Sequence, residues 1–155
     1  MKEIQLTRKK VALVDNHDFH SINKYMWSLS GCRRYAVRDD ENGRRIYMHR
    51  EIMKTPVGVD VDHIDGDGLN NRRKNMRNCT RSQNHMNRKA YTFKKHSRFK
   101  GVTLDKSAKK KRWMARIKKD RKNIHIGRFL TEIEASKAYD KKAIELFGKF
   151  ARING

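Results

Sequence analysis

Proline occurs once and cysteine twice in the 155 residues, and these scarcities narrow what the chain can be. Cys32 and Cys79 stand apart with no Cys-x-x-Cys pair, which argues against a structural zinc knuckle and for two free thiols in a reducing compartment. No apolar run is long enough for a membrane span, and no basic stretch carries the wide apolar face of a surface-binding helix. An apolar signal segment is missing after the start as well, so an intracellular protein is expected. Acidic residues are few: 17 Asp and Glu face 39 Lys and Arg, a formal net charge of +22. A field of that sign gathers polyanions and makes association strongly salt-dependent, so nucleic acid is the leading partner.

Apolar residues make up only 36% of the chain, with a mean hydropathy of -1.01. No single segment can bury a large interior, and the length suits two or three small modules helped by a ligand or a partner. It is not the composition of a disordered tail, because Trp27, Tyr35, Trp113, Phe129, Tyr139 and Phe147 sit among aliphatic residues in short periodic runs. Pro56 and Gly58 separate an N-terminal α/β extension, residues 1–56, from an Asp/His/Asn-rich middle. Within the extension, 11–14 is expected as a strand and 18–26 as a helix with Phe19, Ile22, Tyr25 and Met26 on one face. Residues 35–38 and 45–48 follow as a hairpin, with Asn42-Gly43 able to supply positive φ in its loop, and then 49–54 as a short helix.

The middle, 59–89, has the pattern strand, polar loop, strand, helix. Thr80 with Gln83 forms a capping-box pair that starts a helix near Arg81 and carries it to about Lys89. Several spacings occur together here: the pair Asp62-His63, Asn75 twelve residues after His63, and Asn84 nine further on at the capped helix. On these residues the stretch 45–89 resembles the HNH nuclease family, with one departure, Asn84 in place of the family's second His. The resemblance implies a small ββα-metal core at 57–89 that hydrolyses phosphodiester bonds. It assigns Asp62 and Asn84 as ligands of one divalent ion, His63 as the general base for water, and Asn75 as the support that staples the loop and helps orient the imidazole. Oxygen ligands suit a hard cation, Mg²⁺ first and Mn²⁺ as its substitute.

Other readings of this middle stretch stay open. Asp65-Gly66-Asp67-Gly68 is by itself either a turn or a weak calcium loop, although the ligand spacing and closing Glu of an EF-hand are missing. Asn87, one turn from Asn84, is placed to assist, whereas His85 is expected to be exposed. His49 either packs or touches phosphate.

Positive charge concentrates downstream: residues 88–128 carry seventeen Lys or Arg against Asp105 and Asp120. After a polar, basic linker at 90–96, strands are expected at 101–104, 112–118 and 124–129, with Trp113, Ala115 and Ile117 on one face and Arg112, Met114, Arg116 and Lys118 on the other. A helix at 132–147, opened by the capping-box pair Thr131 and Glu134, carries a stripe of Ala135, Ala138, Tyr139, Ala143 and Leu146 that covers the apolar side, and Gly148 ends it. Ser97 to Thr103, Arg112 to Ile117, Ile126 to Phe129 and Glu134 to Asp140 together resemble the AP2 DNA-binding domain over 97–154. That likeness implies a three-stranded antiparallel sheet lying in the major groove with one helix packed behind it. Carried over by position, it assigns Lys100, Thr103, Asp105, Arg116, Lys118, Asn123 and His125 to the DNA-facing set. Thr103, Asp105 and His125 stand where Arg or Trp is common in that family, so the target sequence does not transfer.

The expectation is therefore an α+β chain in which one module finds a duplex site and another cuts it, as in homing endonucleases of phages and mobile elements. Double-stranded DNA is the expected partner, the chain working as a monomer or homodimer, in the bacterial cytoplasm or nucleoid if phage-encoded. A single nuclease motif cuts one strand at a time. Two rivals remain: a transcription regulator with a decayed nuclease core, and an RNA-binding or packaging protein that relies on charge alone.

Overall fold

The structure, a computed structural model, describes residues 1–31, 34–88, 97–110 and 112–155. These form two compact units, Met1–Asn84 and His85–Gly155. Cys32, Lys89 and the expected linker at 90–96 lie outside the described residues. Among the described residues no helix is long and apolar enough to cross a membrane.

The first unit opens with an antiparallel hairpin of β1 (Lys2–Leu6) and β2 (Lys10–Val14), whose turn places Arg8 and Lys9 at φ of 61° and 54°. Ile4, Leu6, Ala12 and Val14 point inward from it. Next come α1 (Asn16–Ile22), the sheet β3 (Ser28–Leu29), β4 (Ala36–Asp39) and β5 (Arg45–Tyr47), and α2 (Met48–Met53). The hairpin β6 (Asp60–His63) and β7 (Met76–Cys79) follows, then α3 (Arg81–Met86). One cluster runs through these elements, from Ile4 and Val14 through Ile22, Trp27 and Met48 to Val61 and Met76. Full burial of a Val- or Ile-sized side chain stabilises the fold by about 1.5–3 kcal/mol. The boundary expected at Pro56 thus does not divide two bodies, because the first 56 residues share their core with the middle hairpin.

Helix α1 ends four residues earlier than its apolar face suggests. The Trp27 indole Nε1 donates to the Ile22 carbonyl at 2.8 Å, satisfying an end group that a continuing helix would have used, and Met26 is left 94% exposed. The 45–48 strand is likewise cut short at Tyr47, since Met48 starts α2 and is fully buried.

The second unit is a meander of β8 (Val102–Leu104), β9 (Trp113–Lys119) and β10 (Lys122–Phe129) in spatial order β10-β9-β8, covered on one face by α4 (Glu132–Phe147). Both halves of the expected capping box are present: Glu134 N donates to Thr131 Oγ1 at 3.1 Å, and Thr131 N to Glu134 Oε2 at 3.4 Å. Ala135, Tyr139 and Ala143 pack on Val102, Ala115 and Ile117, with Trp113 against the same cluster. A register shift between His125 and Gly127 makes Ile126 an unpaired residue of β10, a bulge the alternation did not predict.

Gly101 is where this packing is tightest. Its φ is 75°, and a Cβ there would lie 2.1 Å from the Tyr139 ring and 2.6 Å from the Arg116 carbonyl. Gly101→Ala is therefore expected to destabilise the second unit by about 2 kcal/mol, through overpacking and a strained backbone together. Urea unfolding followed at Trp113 checks this; an unchanged midpoint would mean that the ring has room to move.

Candidate active site and nucleic-acid face

Alternation along β6 puts Asp60 and Asp62 on one face and Val61 and His63 on the other. Asp62 is 3% exposed and lies directly across from Arg77 on β7. The guanidinium answers the buried carboxylate through Nη2 at 2.6 Å and Nε at 2.8 Å, both to Oδ2. Removing one member of such a pair leaves an uncompensated buried charge, so the register that opposes these two residues is itself strongly held. Helix α3 starts as its cap predicts, with Thr80 N bonded to Gln83 Oε1 at 2.8 Å and Gln83 N to Thr80 Oγ1 at 3.2 Å. One turn on, Asn84 Nδ2 donates to Asp60 Oδ2 at 3.2 Å, which brings the Asn84 amide to the strand face that carries both aspartates. Among the described residues no three His, Cys, Asp or Glu side chains gather as a metal-holding group. The oxygen donors the sequence proposed are one carboxylate and one carboxamide.

His63 is buried within a cluster of rings. The His49 ring lies 5.2 Å away edge-on and Tyr35 6.0 Å away, while Tyr35 and Tyr47 flank His49 at 5.1 and 5.4 Å. His63 Nε2 meets Asn71 Oδ1 at 3.1 Å. Burial pushes the His63 imidazole below its ordinary pKa, against the opposing pull of the Asn71 bond and of Asp65, Asp62 and Asp67. His49 is pushed down to about 3, first by burial and then by His63 and Arg50. It packs among the rings of Tyr35, Tyr47 and His63.

The loop between β6 and β7 is closed by Asn75. Its Nδ2 donates to the Asn70 carbonyl at 2.8 Å and to Asp65 Oδ1 at 3.0 Å, while its Oδ1 accepts from Asp65 N at 3.2 Å. The tight stretch that begins at Asp65 is a turn held by its own aspartates: Asp67 N donates to Asp65 Oδ1 and Leu69 N to Asp67 Oδ1. Burial acts to raise the Asp65 carboxyl, but bonds from Asp67 N, Asn70 and Asn75 hold it below its usual pKa. The loop is also tied to the chain's first elements. Leu13 N donates to the Leu69 carbonyl and Asn71 N to the Leu13 carbonyl, both at 2.8 Å, and Arg73 grips Asp18 through Nε and Nη2. No local pattern announced these contacts, which join residues more than fifty apart in sequence. His85 is exposed and Asn87 buried.

In the second unit the sheet face away from α4 carries Thr103, Met114, Arg116, Lys118, Asn123 and His125, with Arg116 across from His125 and Lys118 across from Asn123. Two residues of the expected DNA-facing set have other engagements. The Lys100 ammonium donates to the Met86 carbonyl at 2.5 Å, and burial, helped by Arg152, lowers its pKa to about 8. Asp105 accepts from the Ser107 hydroxyl and backbone N–H and pairs with Arg128, which together bring its pKa to about 2. Arg128, absent from the expected set, lies opposite Met114 on the same open face. The bulge at Ile126 is what restores its phase.

The family model described as HNH endonuclease matches residues 54–86. The uncharacterized HNH endonuclease L560 of Acanthamoeba polyphaga mimivirus is 33% identical over 139 residues, covering 86% of this chain and 68% of the relative. APETALA2-like protein 2 of Oryza sativa subsp. indica is 40% identical over 86 residues, 52% of this chain but only 19% of that protein, and its subsp. japonica counterpart matches equally. No solved structure matches the chain. With Asp62, His63, Asn75 and Asn84 carried on one strand–loop–strand–helix stretch, and with the viral relative matched over most of both lengths, the chain is a nuclease and belongs to the HNH endonuclease family.

Proposed function

We propose that the chain is a divalent-metal-dependent DNA endonuclease of homing type, its first unit cutting and its second unit gripping the duplex near a recognised site. One observation carries the reading: adjacent residues of β6 are held by separate networks, Asp62 by Arg77 on one face and His63 by Asn71 on the other. Phosphodiester hydrolysis needs that division, with charge neutralised on one side and a water deprotonated on the other. Asp62 and Asn84 would hold Mg²⁺ or Mn²⁺, and their donors fit a hard ion. The carboxylate is buried and pre-positioned, and the amide spends its nitrogen on Asp60, so that its oxygen is the atom suited to a cation. When bound, the ion would neutralise charge on the phosphate and the leaving 3′ oxygen. His63 takes the proton of the attacking water, and Asn75 keeps the loop closed around it.

Incubation of supercoiled plasmid with the protein in Mg²⁺ or Mn²⁺ is expected to give nicked circles, and in chelator none. Duplex binding without metal-dependent nicking would instead favour a regulator with a decayed nuclease core.

The second unit is read as an AP2-type grip. This is supported by its three-stranded sheet on one helix, by the basic open face and by the 40% identity with the rice protein. Arg116 and Lys118 stand side by side on β9 with exposed charged ends. Replacing both with Ala is expected to weaken duplex binding and to reduce the slope of log affinity against log salt by about 2, roughly one per lost phosphate contact. An unchanged slope in a fluorescence-anisotropy titration would show that the duplex lies elsewhere.

A further inference from the structure

We infer that Arg128 is a base-reading residue of the second unit and that Asp105, rather than touching DNA itself, aims it: the carboxylate holds the guanidinium so that its other edge meets a guanine in the major groove. The inference rests on the reading of the second unit as the duplex grip. It adds to that reading a specificity-determining residue, a positioning residue and the base they select.

Asp105 follows the last residue of β8 and Arg128 lies near the end of β10, so their ion pair joins the two outer strands of the sheet across β9. The carboxylate is fixed independently of the arginine. Its Oδ1 accepts from Ser107 N at 3.0 Å and from Ser107 Oγ at 2.6 Å, and the backbone N of Asp105 donates to the Arg112 carbonyl at 2.7 Å. Oδ2 is thereby left for Arg128, which it meets through Nη1. A bond made through Nη1 leaves the hydrogens of Nε and Nη2, a planar and parallel pair, as the fork for an incoming acceptor. The bulge at Ile126 is part of the same device. Strict alternation from His125 would turn Arg128 toward α4, and the extra residue re-aims it to the open face.

Charge decides which part of the duplex such a residue suits. A phosphate contact draws on positive charge, and a carboxylate beside the cation cancels it, so the pair as a unit adds little to the attraction of the backbone. What the carboxylate does supply is direction. Guanine presents two acceptors, N7 and O6, side by side in the major groove, and the arginine fork matches them two for two. A guanidinium already held in place also loses less rotamer freedom on docking than a free one. The neighbours across the sheet are Met114 and, beyond it, Thr103, whereas Arg116 and Lys118 lie further along the same face.

The full-length protein, kept in chelator so that no duplex is cut, is used to select bound sequences from a random pool, and one position is expected to be restricted to guanine. Competition titrations with duplexes changed there then compare variants. Arg128→Ala is expected to reduce the preference for guanine at that base pair by about 5- to 150-fold. Its side chain is 45% exposed, so the change leaves the core intact. Arg128→Lys keeps the charge without the fork and is expected to lose the same preference at an unchanged salt slope. Asp105→Asn keeps an acceptor for Ser107 and is expected to weaken the preference at that one base pair without lowering affinity for random duplex. A uniform loss over all sequences in Arg128→Ala, with a salt slope smaller by about one, would make Arg128 a phosphate contact and overturn the inference. So would a selected site without the guanine, or an Asp105→Asn variant that keeps its preference or changes a different base pair, as direct readout by Asp105 would. Failure of the underlying reading looks different: the wild type would enrich no sequence, and any duplex would compete equally.

Discussion

His63→Ala is expected to lower the cleavage rate by about 10²- to 10⁴-fold while leaving duplex affinity within a factor of two or so, the size of effect that a positioned general base supplies. Affinity should survive because the imidazole is buried, 6% exposed, and the basic face of the second unit is left untouched. Two side effects need control. Alanine leaves a void beside His49 and Tyr35 and strands the buried Asn71 oxygen, so the variant loses stability as well. Rates are therefore compared well below the melting temperature, with His63→Gln as a second variant that fills the space and retains an amide N–H for Asn71. Both variants should nick slowly and bind normally by mobility shift. Wild-type cutting by either would remove His63 from the reaction and with it the proposed division of labour along β6.

Features set by local pattern were legible in the sequence. The capping pairs Thr80/Gln83 and Thr131/Glu134 both form, α4 has the expected bounds, and the phase of Trp113, Ala115 and Ile117 puts them inward. Each of these follows from residues three or four apart, or from a two-residue alternation, so neighbours alone decide them. The first strand was missed although Ile4 and Leu6 alternate inward, because Lys2–Leu6 is short and flanked by charge. Around the site the omissions have one cause. Arg77 matters only because the hairpin register sets it against Asp62, Arg128 only because a bulge shifts its phase, and Asn71 only because three distant segments close on it. In the run Asn70, Asn71, Asn75 nothing local marks the middle one as the partner of His63. Both ligand candidates were named from the sequence, but the contact of Asn84 with Asp60 depends on where α3 starts relative to β6.

Stability is expected to fall as pH drops below about 6.5, before most carboxylates titrate, because the first unit folds around histidines that it holds neutral. His49 has a folded pKa of about 3 against 6.5 for the free side chain, set by burial and by the nearby His63 and Arg50. Above pH 6.5 the imidazole is neutral in both states and contributes no slope. Between 6.5 and 3 the unfolded chain takes up a proton that the folded chain refuses, so unfolding becomes easier by about 1.4 kcal/mol per pH unit. Below 3 both states are protonated and the contribution flattens, after a total loss on the order of 4–5 kcal/mol. That is a large share of a small domain's margin. The His63 pKa is lowered in the same direction, which steepens the slope toward two protons where both rings refuse protonation. The test is urea unfolding at several pH values between 7 and 5, with proton uptake read from the slope of stability against pH. His49→Phe, which keeps a flat ring between Tyr35 and Tyr47, should remove one proton from that slope. A wild-type stability that stays level from pH 7 to 5 would mean that His49 is hydrated enough to ionise in place, and the close packing of imidazole on imidazole would then have to be abandoned.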